Sequence, residues 1–283
     1  DAVMKRFAGR RLLIATMHQK EKAIAPVLET ALCVQCITTS EFDTDRFGTF
    51  SGEIERSEDP ITTLRKKCLG ALGKSDCDLV VGNEGSFGPH PTIGMIPADE
   101  EWMMLIDTRD SLEVLVRTIS VETNFNGRSI GSQTDLLDFA GQVKFPSHGI
   151  ILRSGPNDNR FIQKGIQNEE VLIRAYNRLT EAYGQAFAET DMRALYNPTR
   201  MDVIRKLTDK LVITLRSVCP HCQTPGFDVV EAIPGLPCSQ CGLKTRSTLQ
   251  HRYQCRQCGT EEFRKFPNRK EQEDPMYCDF CNP

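Results

Sequence analysis

The run Cys77-Asp78-Leu79-Val80-Val81-Gly82, with Glu84-Gly85-Ser86-Phe87-Gly88-Pro89-His90-Pro91 directly behind it, decides how the first half of the chain is read. An apolar run ending abruptly in Gly/Pro-rich polar residues predicts a buried strand that opens into a rigid loop. In open α/β sheets ligands bind outside the carboxyl ends of strands, which makes such a loop a candidate site. Gly85 and Gly88 let backbone approach a ligand, and the prolines fix φ, so Glu84 and His90 are expected to be held in place. The same residues also fit a tight connection between two strands with Glu84 solvated, and both readings stand at this level.

Outward from that run, Arg11 to Thr16 reads as the first strand and Met17-His18-Gln19-Lys20 as its turn. Ala23, Ile24, Val27, Leu28 and Ala31 recur at helical spacing and predict a helix over Glu21 to Leu32, with Pro26 an awkward interior residue. Cys33 to Thr38 reads as a second short strand. Thr39 to Pro60 is polar, rich in Asp and Glu, and too long for an ordinary connection, which favours a functional loop. A helix is expected from Ile61 to Leu72, and paired strands over Trp102 to Asp107 and Leu112 to Val121. Ser132 is placed to cap a helix, Ser147 to Arg153 reads as a strand, and Gly155 to Asn159 as a loop. Asn168 caps a long helix to about Phe187, and Asn197-Pro198 starts another to about Val212. Alternating strands and helices predict an α/β domain with a mostly parallel sheet and flanking helices.

At 283 residues with 39% apolar content the chain supports a real core and more than one domain. The expected division is an α/β phosphate-binding domain over 1–167, a helical extension over 168–214 and a small cysteine-rich domain over 215–283. No apolar run reaches membrane-spanning length, and Met4-Lys5-Arg6-Phe7 does not begin a signal-peptide pattern, so a cytoplasmic protein without a membrane partner is expected. The net charge of −3 gives no general pull towards nucleic acid. From Leu215 onward nine Lys and Arg face eight Asp and Glu, a poor footprint for phosphate-backbone binding. A protein partner for the tail is the more natural expectation.

Eight of the 12 cysteines form four CxxC pairs: Cys219/Cys222, Cys238/Cys241, Cys255/Cys258 and Cys278/Cys281. Two residues between cysteines let one turn aim both sulfurs at one ion, and two such turns complete a tetrahedral four-cysteine site. The expectation is two structural zinc ions in a double zinc ribbon, substituting for a core that so small a segment cannot supply. Sequential pairing, first with second and third with fourth, is the simpler arrangement, although spacing alone leaves a crossed one open. Cys33-Val34-Gln35-Cys36 has the same spacing without a partner pair and reads as a strand with ordinary thiols.

Two resemblances follow from particular residues. Ala15-Thr16-Met17-His18-Gln19-Lys20-Glu21-Lys22, the Glu84-Gly85 pair and Ser147-His148-Gly149 resemble inosine/xanthosine triphosphate pyrophosphatases over roughly residues 11 to 153. Over the whole chain, Glu189 to Ala194, Asn197 to Met201 and the double ribbon resemble an uncharacterised bacterial family of unknown function, which carries no activity with it. The first resemblance implies a phosphate-containing substrate, with Thr16, His18, Gly85, Ser86 and His148 contacting the nucleotide. It also implies a pyrophosphatase-like sheet and release of pyrophosphate from a nucleotide.

Elementary electrostatics points the same way. A helix N-terminus with a lysine attracts phosphate, which suits Lys20. Mg²⁺ takes carboxylates together with substrate oxygens, which suits Glu84 and the loop acids Glu53 and Glu55. Each residue has a plainer reading as well: His18 as a turn or cap residue, Glu53 and Glu55 as solvated charges, and Asp191, Arg193 and Arg200 as an ion-pair cluster. The rival expectation for the whole protein is a zinc-ribbon interaction protein whose α/β half binds a ligand without turnover.

Overall fold

The opening run predicts a buried strand, and it forms the middle strand of a five-stranded sheet, but it is longer than expected. The computed structural model describes residues 2–38, 59–156 and 158–283. In chain order these form α1 (Ala2–Phe7), β1 (Arg11–Ala15), α2 (Glu21–Leu32), β2 (Gln35–Thr38), α3 (Pro60–Leu72), β3 (Leu79–Pro89), β4 (Pro97–Asp107), β5 (Leu112–Ser120), β6 (Gly127–Ile130), α4 (Gln133–Gln142), β7 (Ile150–Gly155), β8 (Asp158–Ile166), α5 (Glu169–Tyr183), β9 (Ala186–Thr190), α6 (Pro198–Arg216), β10 (Asp228–Pro234), β11 (Thr248–Gln254) and β12 (Glu261–Lys265). The chain divides into two compact units, Asp1–Val212 and Ile213–Pro283, with the boundary inside α6. Most of the segment expected as a separate helical extension, 168–214, therefore belongs to the first unit.

The first unit holds two sheets, ordered β2-β1-β3-β4-β5 and β6-β9-β7-β8. Among the described residues of this unit only the β1–β2 and β1–β3 pairs are parallel; β3–β4, β4–β5 and every pair of the second sheet are antiparallel. The expectation of a mostly parallel sheet is corrected accordingly: the fold is mixed α/β with mostly antiparallel sheets. The reason lies in the connections. Parallel neighbours need a crossover of a dozen or more residues, whereas β3 returns to β4 through residues 90–96 and β4 to β5 through 108–111. Apolar patterning reports burial and is silent on strand direction.

The expected loop behind Gly82 is corrected too. β3 runs through Pro89, and Glu84 pairs with Trp102 while Gly85 pairs with Glu101, so both lie inside a hairpin. His90 sits in the hairpin loop, where its Nδ1 accepts the N–H groups of Thr92 and Ile93.

The helices of this unit follow their local signals. Asp59 caps α3, accepting from the N–H groups of Ile61 and Thr62, with Pro60 in the first turn. Ser132 caps α4 and Asn168 caps α5. α5 stops at Tyr183 rather than Phe187, because Gly184 takes a left-handed conformation with φ 70° and ends it. The residues beyond turn out as β9, and the expected loop at 155–159 mostly joins β7 and β8. α3 packs on the first sheet through Leu64, Cys68, Ala71, Val80 and Met104. It lies so close that a Cβ on Gly82 would sit 2.6 Å from Cys68 Sγ. α4 and α5 cover the second sheet through Leu136, Phe139, Leu172, Ala175 and Leu179.

The second unit is a three-stranded antiparallel sheet, β10-β11-β12, flanked by the cysteine turns. Its apolar core is small: Phe227 is buried beside Cys219 and Cys255, with the Phe227 and Tyr253 rings stacked at 5.7 Å. Among the described residues no helix is long and apolar enough to cross a membrane.

Candidate functional site

Within the first unit, ionic side chains gather where β1 and β3 end their parallel pairing. Strand pairing places Asn83, Gly85 and Phe87 of β3 on one face with Asp99 and Glu101 of β4, because directly opposed residues point to the same side of a sheet. Gly82 and Glu84 point to the other face, towards α3. There Lys67 Nζ meets Glu84 Oε2 at 2.6 Å, and both side chains are buried. On the first face Arg200, delivered by the first turns of α6, donates from Nε to Glu101 Oε1 at 2.7 Å and from Nη1 to the Met192 carbonyl at 2.6 Å. Asn83 Nδ2 donates to Glu101 Oε2 and to the Trp102 carbonyl. Lys20, at the start of α2, reaches back to the Asn83 carbonyl at 3.3 Å and is only 7% exposed.

The electrostatics of this cluster depart strongly from those of surface groups. Burial pulls the Lys20 ammonium down to about 7, with the Arg200 charge adding to it against the pull of Glu101 and Glu84. Burial, then the neighbouring Glu101 charge, pushes the Asp99 carboxyl up to about 8. Burial also works against the Glu101 carboxylate, but the Arg200 and Lys20 charges outweigh it and hold that group below its ordinary value. Asp99 is 1% exposed, and neither of its carboxylate oxygens has a donor among the described residues. A proton on Asp99 would remove the buried charge and let it donate towards Glu101. Asn83 Oδ1 and Thr16 Oγ1 are likewise buried without a partner among the described residues. Buried unsatisfied oxygens are costly, and several in one place suit a cation or a proton.

Lys20 and Glu84 are both buried, and the Glu84 charge is one of those that bear on Lys20. Gly85 is buried as well, in a role different from the one expected. A Cβ at this position would sit 2.6 Å from Arg200 Nη2 and closer still to Glu101 Oε1. The space it leaves is filled by the ion pair, not by a ligand. Gly85→Ala is accordingly expected to destabilise the protein by about 1–3 kcal/mol, the usual cost of overpacking, as read from chemical denaturation. An unchanged midpoint would show that the pair can shift aside freely.

The remaining expected residues lie elsewhere. Ser86 is half-buried on the β3 face opposite to Gly85. His18 occupies the turn after β1 with φ 62°, followed by Gln19 at 61°. His148 is tied to the start of α6: its Nε2 lies 2.8 Å from Thr199 Oγ1 and accepts the Thr199 N–H, while Nδ1 lies 2.9 Å from Ser147 Oγ. Glu53 and Glu55, with the rest of the acidic stretch, lie outside the described residues. Asp191 pairs with Arg193 as expected, but Arg200 leaves that group for Glu101. Sequence reasoning does not single out Asn83, Asp99, Glu101 or Lys67. The signal that could have found two of them is Asp99 and Glu101 at alternate positions just ahead of an apolar strand. Reading that strand as starting at Trp102 hides it.

In the second unit the cysteines form two clusters, Cys219/Cys222/Cys255/Cys258 and Cys238/Cys241/Cys278/Cys281, each with all four sulfurs within 4.8 Å of one another. The pairing is crossed, first turn with third and second with fourth, which corrects the simpler sequential arrangement. The β-sheet dictates this. β10 and β11 are antiparallel, with Asp228 opposite Gln254, so the turn before β10 meets the turn after β11. The turn after β10 is then left to meet the last one, joined by the Cys238–Glu273 bridge. Sulfur separations are 3.6 and 3.5 Å in the first cluster and 3.9 and 3.7 Å in the second. A tetrahedral ion with Zn–S bonds of about 2.3 Å requires sulfurs about 3.8 Å apart, so both clusters could bind zinc. The His221 and Gln240 N–H groups donate to the Cys219 and Cys238 sulfurs, each at 3.4 Å. Four sulfurs in each cluster leave no position for a substrate.

Comparison with known proteins gives a family and little else. No curated protein matches the sequence. A solved structure, the crystal structure of protein VC0702 from Vibrio cholerae, is similar at 14% identity with a TM-score of 0.29, over 40% of this chain and 64% of that one. This chain thus spans less than two thirds of that protein. The model of the family described as "Domain of unknown function (DUF6671)" matches residues 67–283, which takes in the β3–β4 hairpin, Arg200 and all eight clustered cysteines, and the chain belongs to that family.

Proposed function

We propose that the first unit is a Mg²⁺-dependent hydrolase acting on a nucleotide or related phosphate, releasing pyrophosphate in the manner of the triphosphate pyrophosphatases, and that the second unit is a double zinc ribbon with two structural zinc ions and a protein partner. The observation that carries the catalytic half is the buried cluster itself. On one face of the β3–β4 hairpin Arg200 meets Glu101 beside Asp99, with Lys20 on the Asn83 carbonyl and the Asp99 and Asn83 oxygens unsatisfied; on the other face Lys67 pairs with Glu84. Asp99, Glu101 and Asn83 Oδ1 are hard oxygen donors and fit Mg²⁺, which would neutralise phosphate oxygens there. Lys20 and Arg200 would bear on the phosphate's remaining charge, and Glu84, set against Lys67, would orient water.

The test is a panel of nucleoside di- and triphosphates with Mg²⁺, scored for pyrophosphate and phosphate release by the zinc-loaded chain. Asp99→Asn keeps shape and the uncharged character that burial already favours, so folding should survive. Glu84→Gln keeps size and hydrogen-bonding shape. Each is expected to lower turnover by roughly a hundredfold or more, the scale of losing one key electrostatic group. No release across the panel, or full turnover in both variants, would refute the hydrolase.

The second reading is a ligand-binding or interaction protein without turnover. Its support is the closure of the cluster: Glu101 and Arg200 are almost wholly buried and paired with each other, as a purely structural clamp would be. Binding of phosphates without release of product would favour it.

A further inference from the structure

A cavity of about 500 Å³ opens between the end of the β3–β4 hairpin and the second sheet, and the phosphate chemistry makes no use of it. That volume is within the range of small-molecule sites, about 300–1,000 Å³. Its walls are flat. Phe87 comes from β3, Phe125 from the segment before β6, and Phe187 from β9. The Phe87 and Phe125 rings stand 5.9 Å apart at 33°. Gly127 leaves room for the third ring, since a Cβ there would lie 3.1 Å from Phe187 Cζ. Buried Ile151 supplies an apolar floor.

The charged groups on this wall, Glu189, Asp191 and Arg193, are all engaged in ion pairs, Asp191 with Arg193 at 2.6 Å. Glu189 Oε1 takes a hydrogen bond from Arg153 Nε at 2.7 Å, and burial raises the Glu189 carboxyl above its ordinary value. With its charges paired, the lining suits a flat, uncharged group that carries N–H donors. Phe87 connects the cavity to the ionic cluster: Arg200 lies over its ring at 4.8 Å, and its cross-strand partner is Asp99. An occupant with a ring in the cavity and an anionic end would therefore lead that end towards Arg200 and Lys20.

We propose that this cavity receives a planar nitrogen heterocycle, held by Phe87, Phe125 and Phe187 and donating to Glu189, as the uncharged end of the phosphate-bearing ligand. The last clause rests on the hydrolase reading; the ring site itself rests on the cavity. Ring and phosphate can be tested apart. Adenosine, guanosine and inorganic tripolyphosphate are titrated separately into the full zinc-loaded chain, with binding followed by ligand-observed NMR and calorimetry. Both nucleosides are expected to bind, and Phe187→Ala to weaken them about tenfold, the scale of losing one stacking ring. Tripolyphosphate binding should be unchanged in that variant. Phe187→Leu, which keeps an apolar side chain of similar bulk without a stacking face, should show most of the same loss and guards against a folding defect. Tripolyphosphate bound while nucleosides are not, or nucleosides bound equally by all three proteins, would overturn the ring site and leave the phosphate reading intact. Nucleosides lost selectively from the Phe187 variants, with no tripolyphosphate binding and no product from the nucleotide panel, would support the ring site and end the hydrolase.

Discussion

Replacing Cys219 and Cys255 together with serine is expected to take the zinc content from two ions per chain to one. Those residues come from the first and third turns, and the crossed arrangement places both in one cluster. Sequential pairing would put them in different clusters, and the same double variant would then lose both ions. Cys219→Ser/Cys238→Ser is the complementary experiment, with both ions lost expected. The energetic consequence is large because the second unit has little else to hold it. Its buried apolar residues are few, and strands β10 to β12 are half-buried or exposed along most of their length. Apparent zinc-binding free energies in such small sites run about 10–16 kcal/mol at neutral pH, more than a sheet of this size gains from packing. Chelation should therefore abolish hydrogen-exchange protection over residues 228–265 while Leu12–Ala15 and Leu79–Gly85 of the first unit stay protected. Undiminished protection of β11 after complete metal removal would show that the sheet stands without the ions.

What can be read from the sequence and what cannot divides along physical lines. Local chemistry is legible. The caps at Asp59, Ser132 and Asn168, the proline at the start of α6 and the eight clustered cysteines all act through neighbours a few residues away. α2 keeps the expected span despite Pro26, since tertiary burial of Ile24, Leu28 and Leu32 outweighs the lost bond. Long-range pairing is not legible. Spacing within a CxxC turn says that two sulfurs converge and nothing about which distant turn completes the site. The register of β10 on β11 decides that. Strand direction is hidden for the same reason, as is the partner of Arg200, which lies 99 residues away in sequence.

The candidate site shows the same division at the level of single residues. Glu84, Gly85 and Lys20 stand out in the sequence through their positions behind strands; Lys20 reaches the Asn83 carbonyl, while Glu84 and Gly85 lie on opposite faces of β3. The role of Gly85 is not legible there, because an absent side chain looks like room for a ligand whether or not a neighbouring ion pair fills it. Asp99 and Glu101 do not stand out, because acids ahead of a strand ordinarily face water. Here the hairpin is long enough to carry them under α6, where Arg200 meets them.

Arg200→Met should be among the most destabilising single changes in the first unit. The guanidinium is almost wholly buried, pairs with Glu101, satisfies the Met192 carbonyl and lies over Phe87. Methionine can fill much of the space but leaves the Glu101 carboxylate without its strongest partner. Removing one member of a buried pair costs about 3–5 kcal/mol. For a unit of this size that corresponds to a fall of roughly 10 °C in melting temperature. The deficit should also depend on pH in a definite direction. Lys20 is held down to about 7 by burial and then by Arg200. Without Arg200 its affinity for a proton rises, and so does that of Glu101, because the charge holding its carboxyl low is gone. Each proton taken up by the folded variant offsets the missing positive charge, so the deficit relative to the parent should be smaller at pH 6 than at pH 9. Adding Glu101→Gln removes the stranded charge, and the double variant should be more stable than the sum of the two single changes implies. Strict additivity, with a deficit that does not change from pH 6 to pH 9, would mean that Arg200 acts through packing on Phe87 and not through the carboxylate.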